Sequence, residues 1–246
     1  MCKSFSGDEE PQANLSRRQF LAAGVVTTLV PASFGIAVAA DPKSTGAPPP
    51  NAIAPAEALK RLVEGNARYA ANTPNERDFS SGRAARAQAQ FPIAAILSCA
   101  DSRVAPELAF DQGPGDLFVV RVAGNIVTPN LLASLEYGVQ FLGVRLIMVL
   151  GHSACGAVDA AVKVHKEKAV LPGHLPELIS AISPAVTAAS KMQSGTLLDN
   201  AIAENVRRQV SRLKSAKPIV QKSYAAKTID IVGGVYDLST GKVLML

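Results

Sequence analysis

The chain has 246 residues, of which 48% are apolar, and it carries a formal net charge of +5 at pH 7. It contains no run of five or more lysines and arginines, and aromatic residues make up only 5% of it, so the composition gives little support to a nucleic-acid-binding surface. Its length and apolar content favour one compact domain with a substantial core.

Residues 1–40 have the pattern of a twin-arginine export signal. The segment Ser16–Leu21 reads Ser-Arg-Arg-Gln-Phe-Leu and opens an apolar stretch that runs to Ala40, where the small residues 37–39 suit a cleavage site. A membrane anchor is the alternative, but Pro31 and several glycine, serine and threonine residues make the stretch only weakly apolar for a permanent span. We therefore expect the twin-arginine machinery to export the protein to the periplasm and the signal to be removed.

The next segment, residues 41–54, is rich in proline and alanine, which predicts an extended linker before a domain over 55–246. That domain is predicted to open with a helix over Pro55–Ala70, because a proline stands at its start and apolar residues recur at helical spacing. The apolar stripe of this helix needs a partner, either on its own domain or elsewhere.

Short apolar runs then alternate with helical patterns. The runs predict strands at 93–97, 117–122, 145–150 and 228–235, with a last strand at 242–246 that turns back about 239–241. Helices are predicted at 129–142, 156–164 and 198–213, the first of them capped by Thr128 with Pro129 at its first position. The alternation favours an α/β fold: a mainly parallel β-sheet flanked by helices, with an N-terminal helical arm and a C-terminal edge hairpin.

Metal-ligating residues follow two of the predicted strands. Cys99 comes after the strand at 93–97, and His152 and Cys155 come after the strand at 145–150. A cysteine at a strand end is often only a small buried apolar residue. In open α/β sheets, however, ligands bind beyond the carboxyl ends of the strands, so the three side chains are expected to meet. Two cysteines and one histidine form a known catalytic Zn²⁺ ligand set that leaves the fourth position for water.

These residues carry a family resemblance. The pattern Cys-x-Asp-x-Arg at 99–103, followed by His-x-x-Cys at 152–155, resembles the signature of the β-class carbonic anhydrases. The resemblance covers roughly residues 55–246 and extends through further matching segments at 113–121, 123–125, 134–137 and 151–156. It implies one Zn²⁺ bound by Cys99, His152 and Cys155, and reversible hydration of carbon dioxide to bicarbonate and a proton by zinc-bound hydroxide. It also implies a homodimer or a higher homo-oligomer, with the first helix as an arm over a neighbouring subunit.

The resemblance assigns catalytic roles to Asp101 and Arg103. Asp101 is expected to accept a hydrogen bond from the zinc-bound water, while Arg103 holds the carboxylate through a bidentate pair. Neither His165 nor His174 is assigned as the proton carrier. Two other functions stay open: hydrolysis of carbon disulfide or carbonyl sulfide by an enzyme of the same fold, and zinc binding without turnover.

One position departs from the subtype of the family that is inhibited by bicarbonate. Members of that subtype hold the inhibitory ion with a tryptophan, an arginine and a tyrosine. Arg121 and Tyr236 match two of these positions, but Ile96 stands in place of the tryptophan, and the chain contains none. We therefore expect the other subtype, in which Asp101 stays paired with Arg103 and does not close the metal site.

Overall fold

Residues 48–246 are described by a computed structural model of the chain; the predicted export signal, residues 1–40, and the first part of the predicted linker lie outside the described residues. Within the described part, five strands form one sheet in the order β2-β1-β3-β4-β5. The strands are β1 (Ala94–Ser98), β2 (Leu117–Arg121), β3 (Leu146–His152), β4 (Asp230–Tyr236) and β5 (Val243–Met245). The first four are parallel and β5 runs antiparallel to β4 at the sheet edge, as the sequence predicted.

Helices cover both faces of the sheet. They are α1 (Pro55–Ala70), α2 (Arg83–Gln88), α3 (Pro106–Ala109), α4 (Pro129–Phe141), α5 (Gly156–Glu167), α6 (Leu175–Ala189), α7 (Leu197–Lys214) and α8 (Ile219–Ala225). The predictions of α1, α4, α5 and α7 are confirmed, and Thr128 caps α4 by accepting a hydrogen bond from the Leu131 N–H. The sequence analysis missed α2, α3, α6 and α8. None of the helices in this part of the chain is long and apolar enough to cross a bilayer.

The central strands are buried on both faces. Every residue of β1 and β3 is buried, and successive side chains of β1 alternate between two core clusters, one on each side of the sheet. Full burial of parallel strands explains why their sequences are continuous apolar runs and do not alternate with polar residues.

The first helix packs on its own chain. Ala58 and Leu62 are 0% exposed and belong to the same core cluster as Ile96 and Met148 of the central strands. At Gly65 the helix approaches so closely that an added Cβ would lie 1.8 Å from the carbonyl oxygen of Phe110. The apolar stripe of α1 therefore has a partner on its own domain, which is one of the two possibilities that the sequence left open.

The last residues of the predicted linker also pack against the domain. The Asn51 side chain is buried, and its Nδ2 donates hydrogen bonds to the carbonyl oxygens of Pro92 at 3.0 Å and Leu142 at 2.7 Å. The part of the chain that packs against the domain therefore begins several residues before α1.

Candidate metal centre

Three potential metal ligands meet beyond the carboxyl ends of two neighbouring strands. Cys99 immediately follows β1, His152 is the last residue of β3, and Cys155 immediately precedes α5. Because β1 and β3 are adjacent and parallel, their ends lie side by side. The ligand atoms of the three residues all lie within 4.8 Å of one another, and all three side chains are buried. The predicted convergence is confirmed.

The turn between His152 and Cys155 is held against β4. The Ser153 N–H donates to the Tyr236 carbonyl at 2.9 Å, and the Leu238 N–H donates to the Ser153 hydroxyl, also at 2.9 Å. Ala154 adopts a left-handed conformation with φ of +53°, which is unusual for a residue with a Cβ. This turn places Cys155 at the N-terminus of α5, where the helix dipole favours a thiolate.

The imidazole of His152 presents one nitrogen that lacks a partner. Its Nδ1 lies 2.9 Å from the Ser153 carbonyl oxygen, which can only accept, so Nδ1 carries the hydrogen. The lone pair is then on Nε2, which is buried without a hydrogen-bond partner. Burial opposes protonation of the ring, but the nearby Cys99 sulfur, the Ser153 carbonyl and the Asp101 carboxylate raise the pKa of His152. Such surroundings suit a cation at Nε2.

The two thiols share a hydrogen bond, with their Sγ atoms 4.0 Å apart. This contact lowers the pKa of Cys99 to about 4, and it raises the pKa of Cys155. The Gly124 N–H also donates to the Cys99 sulfur at 3.3 Å. Two soft sulfur donors and one imidazole nitrogen, close together and buried, fit Zn²⁺ with a fourth position left for water.

Asp101 and Arg103 form the predicted bidentate pair. Arg103 donates from Nε to Asp101 Oδ1 at 2.9 Å and from Nη2 to Oδ2 at 2.7 Å, and its backbone N–H adds a bond of 3.0 Å to Oδ1. These bonds hold the pKa of Asp101 well below its usual range. Asp101 Oδ2 also lies 3.7 Å from the unpartnered Nε2 of His152. An ionised acceptor therefore stands beside the ligand cluster.

Arg121 and Tyr236 already have partners within the chain. Arg121 donates from Nε to the Cys99 carbonyl at 3.0 Å and from Nη2 to the Asp101 carbonyl at 2.7 Å, so it braces the segment that carries both side chains. The Tyr236 hydroxyl lies 3.2 Å from the Tyr69 hydroxyl, and burial raises the pKa of Tyr236 to about 12. Both side chains therefore already have hydrogen-bond partners within the chain, and Ile96 stands in place of the tryptophan.

Neither of the remaining histidines lies next to the ligand cluster. His165 stands in the last turn of α5, ten residues after Cys155, which corresponds to about 15 Å along the helix axis. His174 is exposed and precedes α6.

The sequence analysis missed three residues that contact the site or its support. Gly124 bonds the Cys99 sulfur, and Asn205 and Gln209 of α7 bond the loop that contains Gly124. The sequence did contain a signal for two of these residues, since Asn205 and Gln209, four positions apart, interrupt the apolar stripe of the helix predicted at 198–213.

Comparison with known proteins places this chain in a defined family. The sequence model described as "Carbonic anhydrase" matches residues 94–243. A carbonic anhydrase of Mycolicibacterium smegmatis is 39% identical over 190 residues, which cover 77% of this chain and 92% of the relative. Carbonic anhydrase 2 of Mycobacterium tuberculosis is 37% identical over 192 residues, covering 78% and 92%.

Solved structures show the same similarity. The β-carbonic anhydrase of Coccomyxa, determined in complex with acetazolamide, has a TM-score of 0.61 and 32% identity, covering 76% of this chain and 86% of that one. One of two tetrameric β-carbonic anhydrases of Sordaria macrospora has a TM-score of 0.60 and 25% identity, covering 67% and 86%.

Proposed function

Because the chain belongs to the carbonic anhydrase family, we propose that it is a zinc enzyme that interconverts carbon dioxide and bicarbonate. The observation that carries the proposal is the buried Cys99–His152–Cys155 cluster, whose ligand atoms lie within 4.8 Å of one another. An ionised carboxylate, Asp101, lies at the edge of this cluster. Such a site suits activation of water for attack on a small electrophile, with release of a proton.

Cys99, His152 and Cys155 would hold the metal. When bound there, Zn²⁺ would lower the pKa of water and so supply a nucleophile at neutral pH. The hydrogen bond from Nδ1 to the Ser153 carbonyl fixes the His152 ring and leaves its Nε2 free to bind. The helix N-terminus at Cys155 favours the thiolate and so opposes the rise in the pKa of Cys155 that its contact with Cys99 causes.

Asp101 orients the attacking water by accepting a hydrogen bond from it. The carboxylate is only 15% exposed, whereas the Arg103 side chain is 55% exposed, so the pair lies where the buried cluster meets solvent. Carbon dioxide and water then give bicarbonate and a proton, and the proton leaves toward solvent on this side.

We assign Asp101 to the acceptor role and not to the metal. Its two oxygens are held by the fork of the Arg103 guanidinium, and a carboxylate so held is less free to swing onto a metal. Arg121 further braces the Asp101 backbone.

The test is carbon dioxide hydration by the zinc-loaded protein, followed by stopped-flow mixing with a pH indicator. We expect catalysis, and Asp101→Asn should lower kcat/KM by roughly 10- to 100-fold because it removes the anionic acceptor. The matched control is Asp159→Asn, which removes a carboxylate from a surface ion pair with Lys163. A fully zinc-loaded protein that hydrates no carbon dioxide would contradict the proposal, and turnover of carbon disulfide or carbonyl sulfide in its place would identify the alternative substrate.

We also propose that the protein works in the periplasm after twin-arginine export. The support is the sequence of residues 16–21 and the apolar stretch behind it. Cell fractionation should find the processed protein in the periplasm, and replacement of both Arg17 and Arg18 by lysine should keep it in the cytoplasm. Unchanged export of that double variant would refute the assignment.

A homo-oligomer is the proposed assembly. The Sordaria relatives are described as tetrameric, and an exposed aromatic group lies beside the edge strand β2 of this chain. In this group Phe118, Tyr137 and Phe141 stack with ring centroids 6.3 and 5.4 Å apart, and Phe141 is 73% exposed. Clustered exposed apolar side chains are typical of protein–protein contact surfaces. Light scattering should give a dimer or larger species; a fully active monomer would contradict this.

A further inference from the structure

Two buried amides on α7 have no role in the mechanism above. Asn205 is 1% exposed and Gln209 is 4% exposed, and both lie on the face of the helix that also buries Ile202 and Val206. Burial of an amide costs free energy unless its polar atoms are hydrogen bonded. The partners of these two side chains therefore indicate why polar residues stand in an apolar stripe.

Both amides bind the loop between β2 and α4. Asn205 donates from Nδ2 to the Gly124 carbonyl at 2.8 Å, and the Val127 N–H donates to Gln209 Oε1 at 2.9 Å. Gln209 Nε2 in turn donates to Asn205 Oδ1 at 3.3 Å. The two side chains thus form one unit that fixes the loop at two points.

Gly124 connects this unit to the metal centre. Its carbonyl accepts from Asn205, while its N–H donates to the Cys99 sulfur at 3.3 Å. Its φ is +72°, and an added Cβ would lie 2.6 Å from Cδ1 of Ile182, so both the conformation and the space favour glycine. Gly124 therefore accepts a hydrogen bond from α7 at its carbonyl and donates one to a metal ligand from its N–H.

We infer that Asn205 and Gln209 are positioning residues for the metal centre, which hold Gly124 so that its N–H donates to the Cys99 sulfur. The inference rests on the proposed metal site, but not on carbon dioxide as the substrate. Groups that bond a ligand from outside the coordination sphere orient it and tune its affinity for the metal. The competing explanation is that the two amides only satisfy backbone groups of a buried loop.

Metal binding by the full chain distinguishes the two explanations. The variants are Asn205→Leu, which is close in size and removes the bond to Gly124, and Gln209→Met, which removes the bond to Val127. The control is Leu213→Ala, which opens a cavity at a fully buried position on the same helix, about 12 Å along its axis from Asn205. Zinc affinity is measured by competition with a chromophoric chelator, and Co²⁺ is substituted to record the thiolate-to-cobalt charge-transfer band.

We expect Asn205→Leu to raise the zinc dissociation constant by roughly 10-fold or more. Its charge-transfer band should move to lower energy, since a sulfur that loses a hydrogen bond gives up electron density more easily. Gln209→Met should show smaller changes in the same direction, because its bond to the loop lies three residues beyond Gly124. Leu213→Ala should lower the melting temperature but leave both metal readouts as in the wild type.

Wild-type affinity and an unchanged band in folded Asn205→Leu or Gln209→Met would overturn the inference. An equal loss of zinc affinity in Leu213→Ala would also overturn it, since that would show that general destabilisation of the fold is enough to weaken zinc binding. Thiolate coordination of Co²⁺ by a wild type that hydrates no carbon dioxide would refute the proposed function and leave this inference in place.

Discussion

Replacement of Arg103 by alanine separates a catalytic from a structural role of the Asp101–Arg103 pair. The change removes two side-chain bonds, of 2.9 and 2.7 Å, from the Asp101 carboxylate, but the 3.0 Å bond from the backbone N–H of residue 103 can persist. Asp101 is then free to turn toward the ligand cluster, where His152 Nε2 is already 3.7 Å away. We expect the site to shift toward a closed, less active form.

The stability cost of this change is small. The Arg103 side chain is 55% exposed, and solvent screens an ion pair with an exposed partner, so the pair adds little to the free energy of unfolding. Arg103 lowers the pKa of Asp101, so the pair stabilises the fold above the unfolded-state pKa of aspartate, about 3.9. This contribution is lost as the pH falls, and the stability difference between variant and wild type should vanish in acid.

Activity, by contrast, should fall by roughly 10- to 100-fold in kcat/KM. Stopped-flow hydration gives the rate, and denaturant unfolding at neutral and acid pH gives the stability. Arg103→Lys is the control for charge, because lysine keeps the positive charge but cannot form the bidentate fork. Unchanged activity in Arg103→Ala would refute the proposed role, and a loss of several kcal/mol in stability would show that the pair is mainly a structural clamp.

Three further predictions test the metal ligands, the packing of α1 and the subtype. Cys99→Ser and Cys155→Ser should each bind substoichiometric zinc and lack activity, because a serine hydroxyl does not ionise at neutral pH; full zinc content by elemental analysis in both would refute the ligand assignment. Gly65→Ala should lower the free energy of unfolding by about 3 kcal/mol, since its Cβ would meet the Phe110 carbonyl oxygen at 1.8 Å, and wild-type stability would show that α1 packs elsewhere. The wild-type rate should decline only gradually below about pH 8, as the nucleophile titrates, and added bicarbonate should not suppress it further; a steep, cooperative and bicarbonate-sensitive loss would indicate the other subtype.

Much of the architecture is readable from local sequence patterns. Continuous apolar runs mark β1 and β3, because a parallel strand covered on both faces has no position for a polar side chain. A run of this kind followed by cysteine or histidine locates a ligand at the carboxyl edge of the sheet. The predicted bidentate pair between Asp101 and Arg103 is likewise local, since the two residues are two positions apart on one turn.

Local patterns failed where a helix contains disfavoured residues. Helix α6 begins with Leu175-Pro176 and contains Pro184, which removes a backbone donor. It forms nevertheless, because Ile179, Ile182 and Val186 bury their side chains against the neighbouring helices α5 and α7. Tertiary burial outweighs a weak intrinsic preference for helix.

The sequence by itself determined which chemical groups the metal centre contains, because ligand type and spacing after a strand are local properties. Only the tertiary structure decided what supports them. The sequence left open whether α1 covers its own sheet or a neighbour, and burial of Ala58 and Leu62 in one core cluster with the central strands shows that it covers its own sheet. The bonds from Asn205 to Gly124 and from Gly124 to Cys99 join three segments far apart in the chain. Such contacts depend on how the helix and the loop pack over the sheet, and no periodicity within one segment encodes that packing.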